Sequence, residues 1–143
     1  MADEGSDGFG LQRFVDAQAG VYERARDELR EGRKRSHWMW FIFPQIAGLG
    51  SSPTAVRFAI SSLAEARAYL EHAVLGPRLR ECSGIVVSVE GRSANEMFGY
   101  PDDLKFHSSM TLFAEAGVEN GVFVDALEKY FGGERDRATL ERL

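Results

Sequence analysis

The strongest pattern along the chain is a three- and four-residue spacing of apolar positions near its start. Leu11, Phe14, Val15, Gln18, Tyr22, Ala25 and Leu29 fall on one helical face. The pattern predicts one long amphipathic helix from about Gly10, with Gly32 as its natural stop. The run Trp38-Met39-Trp40-Phe41-Ile42-Phe43-Pro44 follows neither a helical nor a strand period, so it is expected to be buried on all sides. Its helical neighbours favour a short core helix over a central strand, and Pro44 should end it. Gly48 to Pro53 has the composition of a loop.

Helix start signals then recur. Ser62-Leu63-Ala64-Glu65 and Ser93-Ala94-Asn95-Glu96 both have the capping-box pattern, predicting helices to about Ala73 and Gly99. Gly76-Pro77 is expected to stop one helix and open the next, with proline at the first helical position. That second helix runs through Leu79, Cys82, Val86 and Val89 to Gly91, although the β-branched Ile85-Val86-Val87 leaves a strand as the alternative. Pro101-Asp102-Asp103 opens a helix to Ala116 with its acids at the favourable positive end. Asn120 should cap a helix to Phe131, and Asp136 a final turn through Leu140 and Leu143. Strands do not alternate with helices. The predicted fold is all-α: a compact single-domain bundle of about six to eight helices, several short, over residues 10–143. Residues 1–9, acidic and rich in glycine, are expected to be a disordered tail.

Composition narrows the function classes. The chain is 44% hydrophobic and 27% charged, which is ordinary globular usage. The net charge is −5, and setting aside Asp3, Glu4 and Asp7 leaves a body closer to neutral. Such a body lacks the strongly basic face that nucleic-acid binding needs. The one basic cluster, Arg30, Arg33, Lys34 and Arg35, is diluted by Glu28 and Glu31 and suits a helix C-terminus. The apolar run at Trp38 is far shorter than the roughly 20 residues of a membrane span. The acidic start has no apolar core of a signal peptide, and the single cysteine, Cys82, cannot form an intrachain disulfide. A cytoplasmic protein with no membrane partner is the expectation.

Motifs for phosphate loops, dinucleotide folds, zinc proteases, serine-hydrolase elbows and calcium loops are absent from the sequence. His37, His72 and His107 are evenly spaced but share no helical pairing, so neither a metal nor another cofactor is expected. The most suggestive chemistry lies in Leu104 to Phe113. There Phe106, Met110 and Phe113 form one stripe, while Lys105, Ser108, Ser109 and Leu112 form another. A lysine flanked by small hydroxyls supplies charge and donors to an anion without blocking its approach. A second candidate wall is His37, Trp38, Trp40 and Gln45, where indole faces can stack a ring and the amide can both donate and accept. The competing expectation is that the tryptophans are simply the heart of the core.

These segments resemble the bacterial family known as "domain of unknown function 1810". The resemblance is carried by Leu11 to Gln18, His37 to Gln45, Gly48-Leu49-Gly50, Leu75 to Leu79, Lys105 with Ser108 to Phe113, and Asp136 to Leu140. It is colinear over about residues 10–143, and the tryptophan-rich segment is its most specific part. Members are sometimes labelled calpastatin, a misnomer, since nothing in this chain resembles a calpain-inhibitor repeat. The resemblance implies a compact, mostly helical domain and no particular activity. Polar positions of the family pattern fall on Gln18, Lys34, His37, Gln45, Arg78, Lys105, Ser108 and Ser109. The sequence therefore suggests a pocket for a small anionic, nucleotide-like or ADP-ribose-like ligand. Lys34, Lys105, Ser108 and Ser109 would face the anion; His37, Trp38 and Trp40 would frame the ring, with Gln45 beside them. Should the protein be an enzyme, His37 is the best acid–base candidate. The alternative is a non-catalytic interaction module whose polar signature locks the fold.

Overall fold

The computed structural model describes residues 8–143, so most of the predicted tail lies outside the described residues. Ten helices are found among them, six of seven residues or more, with no strand. In chain order they are α1 (Gln12–Gln18), α2 (Tyr22–Arg30), α3 (Met39–Ile42), α4 (Pro53–Arg57) and α5 (Leu63–Glu71). Then come α6 (Leu75–Ser88), α7 (Ala94–Phe98), α8 (Asp102–Ala116), α9 (Gly121–Phe131) and α10 (Arg137–Leu140). The fold is all-α, and Ile85-Val86-Val87 is helical.

Two elements depart from the predicted layout. The first helix is divided in two, because Ala19 (φ −61°, ψ 123°) and Gly20 (φ 76°) form a type II turn closed by the Val21 amide donating to the Gln18 carbonyl at 3.0 Å. A positive φ at the third turn position calls for glycine, and Gly20 supplies it. The supposed loop after Gly48 also contains α4. Ser52 is its N-cap, accepting from the Ala55 amide at 3.1 Å, and Pro53 takes the first turn.

The capping signals resolve differently. Ser93 and Glu96 form a complete reciprocal box. Ser62 accepts from the Glu65 amide, but the Glu65 carboxylate turns instead to the amide and hydroxyl of Ser61 and to Arg13, 2.9 Å away. Asn120 caps nothing through its side chain, which donates to the Ala114 carbonyl and so ties α9 to the end of α8. Gly76 lies inside the first turn of α6 rather than at a helix stop. A Cβ there would lie 2.1 Å from the Leu70 carbonyl oxygen, so the glycine permits close approach of two backbones.

The buried apolar side chains form one connected cluster around α8. α8 packs on α3, α5, α7, α9 and α10, which cover it on nearly every side. The helix therefore does not divide into a core stripe and a separate polar one. Ser109 and Leu112 are as buried as Phe106, Met110 and Phe113. Aromatic edges knit the cluster together: Phe14 meets Tyr69, and Phe43 meets Phe106, both edge-to-face with centroids 5.1 Å apart.

One irregular segment matters for the site. From Ile46 to Ile60 the chain leaves the core and returns to it. Its ends are joined by a parallel bridge in which the Ala47 amide donates to Ile60 and the Ile60 amide to Gln45, each at 2.8 Å. A loop closed at its neck in this way is a compact wall rather than a free tether.

Candidate functional site

The closed loop, α3 and α8 enclose two adjoining cavities that share Trp40, Gln45, Leu49, Gly50, Ser51 and Ala55. The apolar one, about 350 Å³, is completed by Ile46, Val56 and Phe58. The polar one, about 480 Å³, also has mostly apolar walls but takes in the polar and charged side chains of Lys105, His107 and Ser108 from α8 and of Asp136 from the start of α10. The half-buried indole of Trp40 borders both.

Electrostatics in the polar cavity centre on Asp102. Its Oδ1 lies 3.4 Å from Lys105 Nζ, and its Oδ2 lies 2.8 Å from Lys34 Nζ. Two ammonium groups thus share one carboxylate, leaving one positive charge in excess. The two lysines are otherwise unlike. Lys34 is nearly sealed, at 7% side-chain exposure, and donates to the Ser36 carbonyl. Lys105 is 24% exposed, lines the cavity and lies over the Trp40 ring, 4.7 Å from its centroid.

Asp136 lines the same cavity, bound to α8. Its Oδ2 accepts from Ser108 Oγ at 2.9 Å, from the Thr139 amide at 3.2 Å and from Thr139 Oγ1 at 2.6 Å. Its own amide donates to Thr111 Oγ1 at 2.8 Å. Next to it, the His107 ring stacks on Phe131 with centroids 4.0 Å apart. His107 Nε2 lies 2.7 Å from the Glu134 carbonyl, which can only accept, so that nitrogen carries the hydrogen.

Of the residues singled out in the sequence, Trp40, Gln45, Lys105 and Ser108 meet at this cleft. Lys34 reaches it only through Asp102. Trp38 is fully buried in the core, where its indole N–H donates to Glu28 at 2.9 Å. The Ser109 hydroxyl is buried with no hydrogen-bond partner. His37 is exposed and lines neither cavity. Gln18 and Arg78 belong to a separate network, in which buried Gln18 accepts from Arg78 and donates to the Phe41 carbonyl and the Tyr69 hydroxyl. Among the described residues no three His, Cys, Asp or Glu side chains are grouped as metal ligands would be. Nor is any described helix long and apolar enough to cross a membrane. Cys82 is buried, and burial pushes its thiol up to about 12.

Sequence reasoning passed over Asp102, His107, Ser51 and the second role of Asp136. Both aspartates were legible only as helix-start residues, a reading that conceals any role toward a cavity.

A comparison with curated proteins finds no match. Among solved structures, the chain is similar to the crystal structure, at 1.38 Å, of the conserved hypothetical protein Rv1873 from Mycobacterium tuberculosis. The two share 63% identity and a TM-score of 0.94 over 96% of this chain and 98% of that one. The family described as "Protein of unknown function (DUF1810)" matches residues 8–143. With nearly the whole chain so matched, the protein belongs to the DUF1810 family.

Proposed function

We propose that the protein binds a small molecule carrying an anionic group and a ring, of the nucleotide or ADP-ribose kind, in the cleft between Trp40 and Lys105. One observation carries this reading: a half-buried indole separates an apolar cavity from a polar one, with an ammonium group at its face. Ring and anion thus each have a matching environment in adjoining spaces that share six lining residues. Both volumes fall within the roughly 300–1,000 Å³ usual for ligand sites. The excess charge on the Lys34–Asp102–Lys105 cluster favours an anion.

The alternative, an interaction module with a structural polar signature, draws support from Lys34 and Ser109, which line neither of these two cavities. Ligand binding decides between the two. With AMP, ADP-ribose and inorganic phosphate as probes, thermal denaturation should show at least one stabilising compound. The gain is about 2.7 kcal/mol at a hundredfold excess over Kd. Lys105→Ala should abolish that gain while costing under about 1 kcal/mol of intrinsic stability, since its ion pair is partly exposed. No stabilisation by any probe, together with a large stability loss in Lys105→Ala, would instead assign the lysine to the fold.

A further inference from the structure

We infer that Asp136 sets the specificity of the cleft by accepting a hydroxyl of the ligand, which makes that ligand a phosphorylated sugar of the nucleotide class rather than a bare anion. The inference rests on the reading that Lys105 receives the anion.

The three donors around the Asp136 carboxylate all converge on one oxygen, Ser108 dividing its single hydrogen between Asp136 and the Leu104 carbonyl. Among the described residues Oδ1 accepts no hydrogen bond, and Asp136 lines the polar cavity. The residues holding it in place, Ser108, Thr111 and Thr139, are all buried. The group is therefore fixed, and rotating it merely exchanges which oxygen is left over. A carboxylate is an acceptor only, and leaving such an oxygen without a donor when a ligand displaces water is costly.

A ligand entering this space must therefore satisfy two opposite demands. Lys105 calls for an anion. Asp136 repels one unless a hydrogen-bond donor is carried beside it. Inorganic phosphate meets only the first demand. An ammonium group would suit Asp136 but must share the cavity with the excess positive charge at Lys105. A neutral hydroxyl next to a phosphate meets both, and the adjoining apolar cavity beside Trp40 accepts the attached ring. Phosphate, sugar hydroxyl and base correspond to these three environments.

The decisive comparison is calorimetric titration of the whole protein with AMP, its dideoxyribose form, phosphoethanolamine and inorganic phosphate. AMP should bind at least about tenfold more tightly than the dideoxy form, the effect of one charge-assisted hydrogen bond. In Asp136→Asn the three buried donors retain the amide oxygen, which turns the amide N–H₂ into the cavity. That variant should keep its fold, checked by thermal denaturation, and its sugar preference should fall below about threefold as a neutral contact replaces a charged one. Its affinity for inorganic phosphate should hold or rise, because a repelling charge is gone. Equal binding of AMP and the dideoxy form by the unaltered protein would overturn the inference, as would an undiminished preference in Asp136→Asn. Phosphoethanolamine binding more tightly than AMP would replace the hydroxyl by an ammonium. Phosphate binding that depends on Lys105 but ignores the sugar would leave the cleft reading standing and sink only this one. If none of the four probes binds, this inference falls, and the cleft reading falls with it unless ADP-ribose binds.

Discussion

Trp38 and Trp40 are two residues apart in sequence, and each has a lysine over its ring, Lys34 at 5.1 Å and Lys105 at 4.7 Å from the centroid. Both lysines hold the same aspartate. Their surroundings nevertheless differ. Trp38 is sealed, and its N–H is one of four donors to Glu28, along with the Arg35 amide and the amide and hydroxyl of Ser36. Both oxygens of Glu28 are occupied. Trp40 borders open space, and the carboxylate that lines this space, Asp136, has one oxygen filled and, among the described residues, one not. A polar network that closes on itself maintains a fold; one that stops at a cavity wall is suited to a ligand.

Three measurements would break or sharpen this contrast. The largest expected effect is on the sealed side. Trp38→Ala should cost about 3–5 kcal/mol in denaturant unfolding, by leaving a cavity and removing a donor from Glu28. A cost as small as that of a surface residue would erase the distinction.

Next is the acid response of Glu28. Burial alone would raise its carboxyl, but donation from Ser36, Arg35 and Trp38 outweighs this and holds it at about 2, against 4.5 for the free side chain. A lowered value in the folded state contributes stability that is complete above about pH 5 and lost as the pH falls through 2. The contribution is roughly 3 kcal/mol by that linkage. Glu28→Gln should remove it at neutral pH and flatten the acid limb of the stability curve over that window.

The smallest stability effect is expected at Trp40. Trp40→Ala should lose less than Trp38→Ala, about 1–2 kcal/mol, since the ring is partly exposed. It should, however, abolish the nucleotide-dependent gain in thermal stability. A loss equal to that of Trp38→Ala would show both indoles to be core.

What the sequence disclosed depended on how local each signal was. The capping box at Ser93 and the stop after Phe43 are written in neighbouring residues and fold as written. Gly20 and Ser52-Pro53 also carried local signals, a turn glycine and a cap with proline, but an apolar period and a loop composition masked them. Around α8 the reasoning failed for a different reason. Helical spacing assigns faces but says nothing of how many neighbours a helix has, and here five leave Ser109 no route to solvent. The meeting of Trp40 with Lys105, Asp102 and Asp136 joins α3 to α8 and α10, distant in the chain, so only folding brings them together. Trp40, Gln45, Lys105 and Ser108 could be nominated singly as polar or aromatic members of a family pattern, but their convergence could not.

Asp102 makes the cleft a site of internal competition. An anion arriving at Lys105 competes with a carboxylate tethered one helical turn away on the same helix, which pays no entropy of association. Displaced, Asp102 still has Lys34, so the exchange leaves no charge stranded. Lys34 in turn is fastened through its backbone amide to the Met97 carbonyl at 2.7 Å. Occupancy of the cleft should therefore tighten the joint between α7 and the segment leading into α3, slowing amide exchange there. By reciprocity, whatever loosens that joint should weaken the ligand. A single shared aspartate thus makes the rigidity of the Trp38 core and the affinity of the Trp40 cleft two expressions of one equilibrium.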